Sequence, residues 1–152
     1  MNKILNYIFL FSLFALLGCA YEPVLSKKNY QFSINIKEQS GDEQINSIII
    51  DNFYFQKEHK TEYDLTITSK KEKNIISKDS KGDPAIFELV INVKYSVKKD
   101  NKILIENELN EKNTYNNIAD KFELKNYENN IINNLSSRMS GIIMSSIRNK
   151  NQ

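Results

Sequence analysis

Between Phe87 and Val97 the chain alternates strictly: Phe87, Leu89, Ile91, Val93, Tyr95 and Val97 fall on one side, and Glu88, Asn92, Lys94, Ser96 and Lys98 on the other. Successive side chains of a β-strand point to opposite faces, so this run satisfies core and solvent together only as a strand with one buried face. Only Val90 breaks the polar side. Six large apolar side chains in a row need a second layer over the face they share.

The rest of the chain supplies candidates for that layer and for further strands. Tyr30, Phe32, Ile34 and Ile36 alternate with Gln31, Ser33, Asn35 and Lys37 as a first half-buried strand. Ser40-Gly41-Asp42 reads as a turn and helix cap. From Glu43 to about Asn52, Ile45, Ile48 and Ile49 share a helical face, although the β-branched run Ile48-Ile49-Ile50 and Phe53-Tyr54-Phe55 would suit a strand equally. Tyr63, Leu65 and Ile67 alternate with Glu62, Asp64, Thr66 and Thr68 as a second strand.

The polar stretch 69–81, broken by Ile75-Ile76 and ending at Gly82-Asp83-Pro84, reads either as a mobile loop or as a ragged extension of that strand. Asp100-Asn101 occupies the place of a two-residue hairpin turn, because both residue types tolerate the left-handed region. Ile103, Ile105 and Leu109 continue the alternation, which fades near Tyr115-Asn116. The period then changes: Leu124, Tyr127, Ile131, Leu135, Met139, Ile142 and Ser146 are three or four apart, with Ile143 and Ile147 reinforcing the face of an amphipathic helix. Asp120 and Glu123 have the spacing of its capping box.

The element order is β-α-β-β-β-α. Each strand has one apolar face and each helix one apolar stripe, so the expected fold is an α+β two-layer sandwich. It has a four-stranded, mostly antiparallel sheet with both helices on one face. The opposite sheet face is polar and meets solvent or a wet partner surface. Four strands are too few to close a barrel.

The N-terminus carries an address rather than a fold. Lys3 precedes an uncharged, mostly Ile, Leu and Phe segment from Ile4 to Leu17, shorter than the roughly 20 residues a membrane span needs. Leu16-Leu17-Gly18-Cys19 closes it in the manner of a bacterial lipobox, whose thiolate accepts a diacylglycerol. Cys19 is the only cysteine, and it stands where the apolar run stops. Residues 1–18 are thus expected to be an export signal, 19–29 a lipidated tether, 30–148 a single folded domain and 149–152 a polar tail. A single acyl chain binds a bilayer only marginally, at about 0.8 kcal/mol per buried methylene, whereas two or three chains hold firmly. Ala20 rather than Asp after Cys19 resembles the enterobacterial sorting rule for the outer membrane.

Removing the signal takes only Lys3 with it, leaving 20 of the 21 Lys and Arg against 19 Asp and Glu, a net charge of +1. That balance does not suit a general nucleic-acid binder. With Cys19 lipidated, no thiol remains for a disulfide or a thiolate metal site.

Catalytic chemistry is sparse. The one histidine, His59, lies in Lys57-Glu58-His59-Lys60 and reads as a solvated loop residue rather than a base. There is no Gly-x-Ser-x-Gly elbow, no phosphate-cradling glycine loop and no His/Cys cluster. Glu106 and Glu108 share a strand face, but general acid/base pairs need a pocket that shifts their pKa values. The expectation is a non-enzyme without a cofactor or metal. Lys70, Lys71, Lys73 and Lys78, tempered by Glu72 and Asp79, read first as a solvated loop; alternatively their ammonium groups contact the phosphates of an anionic lipid.

Taken together, the parts resemble the LptE family, the lipoprotein subunit of the outer-membrane lipopolysaccharide translocon, in its divergent alphaproteobacterial form. Gly18-Cys19-Ala20-Tyr21-Glu22-Pro23-Val24-Leu25 resembles the family's opening, and Tyr63-Asp64-Leu65-Thr66-Ile67 its second strand. Leu89 to Val97 followed by Ile103-Leu104 resembles the central hairpin. Thr114-Tyr115-Asn116, with Phe122 beyond it, resembles the Tyr-Asn element before the long last helix. The resemblance implies a non-catalytic outer-membrane protein that sits with a β-barrel partner of the LptD type and assists lipopolysaccharide insertion. Two other readings stay open: an accessory of another envelope system such as an ABC-type lipid transporter, and a lipid-anchored periplasmic enzyme or inhibitor.

Overall fold

A computed structural model describes residues 32–53 and 61–150. Its elements follow the expected order: β1 (Ser33–Gly41), α1 (Glu43–Asp51), β2 (Glu62–Lys78), β3 (Pro84–Lys99), β4 (Lys102–Asn116) and α2 (Lys121–Lys150). The four strands form one sheet in sequential order, with β1 parallel to β2 and the other two pairs antiparallel. A parallel pair needs a crossover, and α1 provides it.

β3 lies inside the sheet, and its apolar face is the centre of the core. Phe87, Leu89, Ile91, Val93, Tyr95 and Val97 are all buried, with Ile91 and Val93 at 0% exposure. Each such side chain contributes about 1.5–3 kcal/mol when fully withdrawn from water. Tyr63, Leu65 and Ile67 of β2 and Phe32 and Ile34 of β1 continue this face. Ile36 is only half-buried, because the register of β1 shifts between Ile36 and Glu38. Tyr30, the first residue expected on this face, lies outside the described residues.

The segment left ambiguous by its polarity is strand as far as Lys78. It pairs with β3 from Asp64↔Lys98 to Lys78↔Pro84. Backbone hydrogen bonding decides this: β3 continues to Pro84, and its N–H and C=O groups need a partner along that whole length. The turn beyond is tied by Asp79, whose Oδ1 accepts from the N–H groups of Lys81 and Asp83, both at 2.9 Å. Asp100 and Asn101 adopt φ of 50° and 62°, the left-handed pair that a two-residue hairpin turn requires.

α1 is a helix despite its β-branched run. Asp42 caps it by accepting from the Ile45 N–H (3.1 Å), and Asn52 closes it by donating to the Ile48 carbonyl (2.7 Å). Ile45 and Ile49 are fully buried, and Ile48 is half-buried. α2 is capped by Asp120, which accepts from the Glu123 N–H at 2.8 Å.

The buried stripe of α2 differs from the expected one. Tyr127 and Ile142 are substantially exposed and Ser146 is half-buried, while Ile132, Ser136, Ser140 and Met144 are buried beside the expected Ile143 and Ile147. The helix touches the sheet and α1 at once, so two adjacent rows of side chains are covered rather than one. Small Ser140 lets the helices meet, and its hydroxyl donates to the Ile49 carbonyl (3.2 Å). The helix also runs to Lys150, two residues into the expected polar tail.

One glycine fixes how β1 ends. Gly41 has φ +93°, and a Cβ there would lie 1.8 Å from the Ser69 carbonyl oxygen. That carbonyl accepts from the Asp42 N–H (3.2 Å), while the Ser69 hydroxyl donates to the Asp42 carbonyl (3.0 Å). Gly41→Ala is therefore expected to lower unfolding stability by about 3 kcal/mol or more, combining left-handed strain with a backbone clash. Urea denaturation followed by circular dichroism checks it; a change within about 0.5 kcal/mol would contradict the tight crossing.

Candidate functional site

The two faces of the sheet have different fates. Odd-numbered residues of β2 and β3 lie under the helices, and even-numbered ones lie on a face that no described element covers. That outer face is laced across the strands. Lys94 meets Glu108 (3.6 Å), Lys112 meets Glu88 (3.4 Å), Asn110 donates to Asn92, and Lys37 and Asn35 reach Asp64 (3.5 and 3.4 Å). A shallow, open depression of about 380 Å³ lies on it between Thr66, Thr68, Lys94, Ser96, Glu106 and Glu108. Such exposed pairs are worth little in stability. Their physical effect is a hydrated, mixed-charge surface that complements another wet surface. Glu106 and Glu108 stand here, on the solvent side.

The second site is at the far end of the helix-covered face, where β2 outruns β1. The register of β2 places Lys71 and Lys73 on the same side as Leu65 and Ile67, beneath the helices. Each ammonium finds a carboxylate there: Lys71 meets Asp42 (3.0 Å), and Lys73 meets Glu128 of α2 (2.5 Å). Lys73 also lies 4.0 Å from the centre of the Phe87 ring, a cation–π contact. Tyr115 donates to the same Glu128 oxygen (2.7 Å), and its ring lies 5.8 Å from those of Phe87 and Tyr127. Farther along α2, Arg138 meets Glu111 of β4 at 2.8 Å.

These contacts set the ionisation of the cluster. Burial opposes the charge on Glu128, but hydrogen bonds from Lys73 and Tyr115 and the charges of Lys73 and Lys71 outweigh it, and its pKa falls below the ordinary glutamate value. Burial likewise opposes Asp42, and Lys71 with the N–H groups of Ile45 and Gln44 lowers its pKa nonetheless. Burial, then the hydrogen bond to Glu128 and its charge, pushes the Tyr115 phenol above its usual range. The arrangement is a clamp: charged and aromatic groups do what apolar side chains do elsewhere in the core.

The four candidate lysines therefore separate. Lys71 and Lys73, both still partly open to solvent, reach carboxylates on the helix side; Lys70 lies on the outer face and pairs with Glu72 (2.6 Å); Lys78 ends β2, exposed, with no ion pair among the described residues. Cys19 and His59 lie outside the described residues. Among the described residues, no three His, Cys, Asp or Glu side chains are grouped to hold a metal, and no helix is long and apolar enough to cross a membrane. Asp42, Tyr115 and Glu128 were not legible as partners of the lysines, since they lie in three other segments. The only local signal was the position of Tyr115 at the end of an alternating strand.

The same architecture occurs in small bacterial lipoproteins. Rare lipoprotein B from Shewanella oneidensis superposes with a TM-score of 0.56 at 13% identity, covering 78% of this chain and 100% of that one. An uncharacterized lipoprotein B from Nitrosomonas europaea does so with a TM-score of 0.55 at 16% identity, covering 78% and 85%. A candidate lipoprotein from Caulobacter crescentus CB15 gives 0.53 at 11%, covering 78% and 88%. At these identities the likeness is one of fold. No family model matches the chain, and no curated protein matches its sequence.

Acid titration tests the clamp. A carboxylate whose folded pKa is depressed stabilises the fold above its unfolded pKa, and that contribution is lost as pH falls through the folded value. Wild-type stability is thus expected to decline as pH drops below about 4.5, the ordinary value for Glu128. Glu128→Gln should cost about 1–2 kcal/mol at pH 7, and its stability should fall less steeply with acid, Asp42 supplying the remaining slope. Equal slopes for the two proteins in denaturant titrations from pH 6 to about pH 3 would show that Glu128 is not clamped.

Proposed function

We propose that this chain is a lipid-anchored, non-catalytic outer-membrane protein of the LptE type. It associates with a β-barrel of the LptD type and assists insertion of lipopolysaccharide. The observation that carries the reading is the asymmetry of the sheet: both helices cover one face, and the other is a broad, uncovered polar surface. A domain with that surface fits against the hydrated inner wall of a large barrel, where polar groups on both sides keep hydrogen-bond partners or bridging water. The fold shared with small lipoproteins, the lipobox ending at Cys19 and the sequence resemblance to the LptE family support the same reading.

In this role the protein needs no reaction centre. Lipid on Cys19 keeps the domain beside its partner and raises the effective concentration of the outer face against the barrel wall. Contact with anionic lipid falls to Lys78, because Lys70, Lys71 and Lys73 hold carboxylates of this chain. Salt is expected to weaken the exposed contacts first.

Two measurements test the proposal. Cys19→Ser should shift the protein from the membrane fraction to the soluble fraction with its circular dichroism unchanged; full membrane retention of that variant would remove the lipoprotein reading. Tagged wild-type protein extracted in mild detergent should bring down a barrel protein of the LptD type. Glu108→Lys, which reverses a charge on the outer face, should reduce the yield several-fold. Recovery of an ABC-type transporter instead would assign the chain to a different envelope machine.

A further inference from the structure

The register of the sheet sets the outer face in rows. Thr66 of β2, Ser96 of β3 and Glu106 of β4 are partners in one row, and Thr68, Lys94 and Glu108 in the next. Where the short side chains of Thr66, Thr68 and Ser96 stand together, the surface sinks into the open depression of about 380 Å³. Lys94 is the only cation that lines it, and Glu108 already holds that ammonium at 3.6 Å. The next lysine of β3 on this face, Lys98, belongs to the adjoining row, in register with Asp64. Elsewhere on the face Asp64, Glu72, Glu88 and Glu108 each have a lysine of this chain. Glu106, exposed on the rim of the depression, has no ion pair among the described residues. Nor has Glu38, which stands beside Thr66 at the β1 end of the same row. The depression is thus a place where carboxylate charge on this face is left unmatched.

We propose that this depression receives an arginine side chain of the barrel partner, with Glu106 meeting its charge and the Thr66 and Ser96 hydroxyls accepting from its other N–H groups. The inference rests on the docking of the outer face proposed above, and it names the chemistry of the residue met there. The lining selects the occupant. A guanidinium carries five N–H donors in a planar fork and no acceptor, which suits a broad site whose row is a carboxylate and two hydroxyl oxygens. A lysine would offer three donors from one point and leave most of that row to water. The Thr68 hydroxyl is already engaged with Ser40 (2.9 Å), so Thr66 and Ser96 are the hydroxyls aligned with Glu106. A lipid phosphate is excluded by sign, because it would face Glu106 with the one lining ammonium held by Glu108. The volume takes a whole side chain together with bridging water, so the contact forms without a dry interface.

The test uses the mature lipidated protein extracted together with its barrel partner in mild detergent. Glu106→Gln should lower the yield of barrel about fivefold or more, because a charge-assisted hydrogen bond loses its acceptor charge. Glu106→Asp should recover part of that yield. Asp51→Asn removes one negative charge from the exposed end of α1, on the other side of the sheet, and should leave the yield unchanged. In the wild-type complex one arginine of the barrel should resist phenylglyoxal, and in the Glu106→Gln complex the same arginine should react, as read by peptide mass spectrometry. Wild-type protein that brings down no barrel removes the proposed function, and this inference with it. A barrel captured equally by wild type and Glu106→Gln, or one with no protected arginine, overturns the inference alone and leaves the proposed function standing. It is also overturned if a carbodiimide couples Glu106 to Lys27 or Lys28 of this chain, or if cross-linking joins two copies through the depression.

Discussion

The buried face of β3 is the constraint on which the rest of the molecule depends. Six consecutive inward side chains cannot be left in water, and a strand cannot be covered without its backbone being paired on both edges. β2 and β4 satisfy the edges, and α1 and α2 cover the face. Because both helices are used on one side, nothing described remains for the other. Among the described residues there is helix for one layer only, and the outer face is matched to exposure by Thr, Asn, Lys and Glu at the even positions.

Along its length the sheet has two regimes. Where β1 is present, the core beneath the helices is apolar, with Ile45, Ile49, Leu65 and Ile67 fully buried. Past Gly41 the sheet narrows to three strands, and the positions that continue the apolar row of β2 become Ser69, Lys71 and Lys73. The protein keeps α2 seated over this end by other means: Lys73, Glu128, Tyr115 and the Phe87 ring form a connected group in which each charge has a partner. Such a clamp holds position without a dry core, and it leaves this end of the molecule more polar and more accessible than the other.

Much of the fold was legible in the sequence because periodicity is local. The alternation of Phe87 to Val97, the Asp100-Asn101 turn, the caps at Asp42 and Asp120 and the change of period after Tyr115 each depend on residues only a few positions apart. The extent of β2 was not legible. Residues 70–78 have no apolar row of their own and are strand because β3 lies beside them, up to 22 positions away in the pairing Lys70↔Asn92. The stripe of α2 was partly misplaced for a similar reason. Ile142 and Tyr127 fit one helical face by spacing, but the contact with α1 rotated the buried surface toward Ile132, Ser136 and Met144.

The candidate lysines show the division most clearly. By itself the sequence determined that four of them cluster between an alternating strand and a glycine turn. The run Leu16-Leu17-Gly18-Cys19, read as a lipobox, is likewise contiguous and needs no folded partner to be read. Only the tertiary structure decided that Lys71 and Lys73 pair with Asp42 and Glu128 on the helix side while Lys70 pairs with Glu72 on the outer face, because strand parity sends neighbours to opposite faces and the carboxylates on the helix side come from distant segments. Local patterns specify elements, because their physics acts over a few residues. Which charges find partners, and which edges are left open, depends on where the chain returns in space.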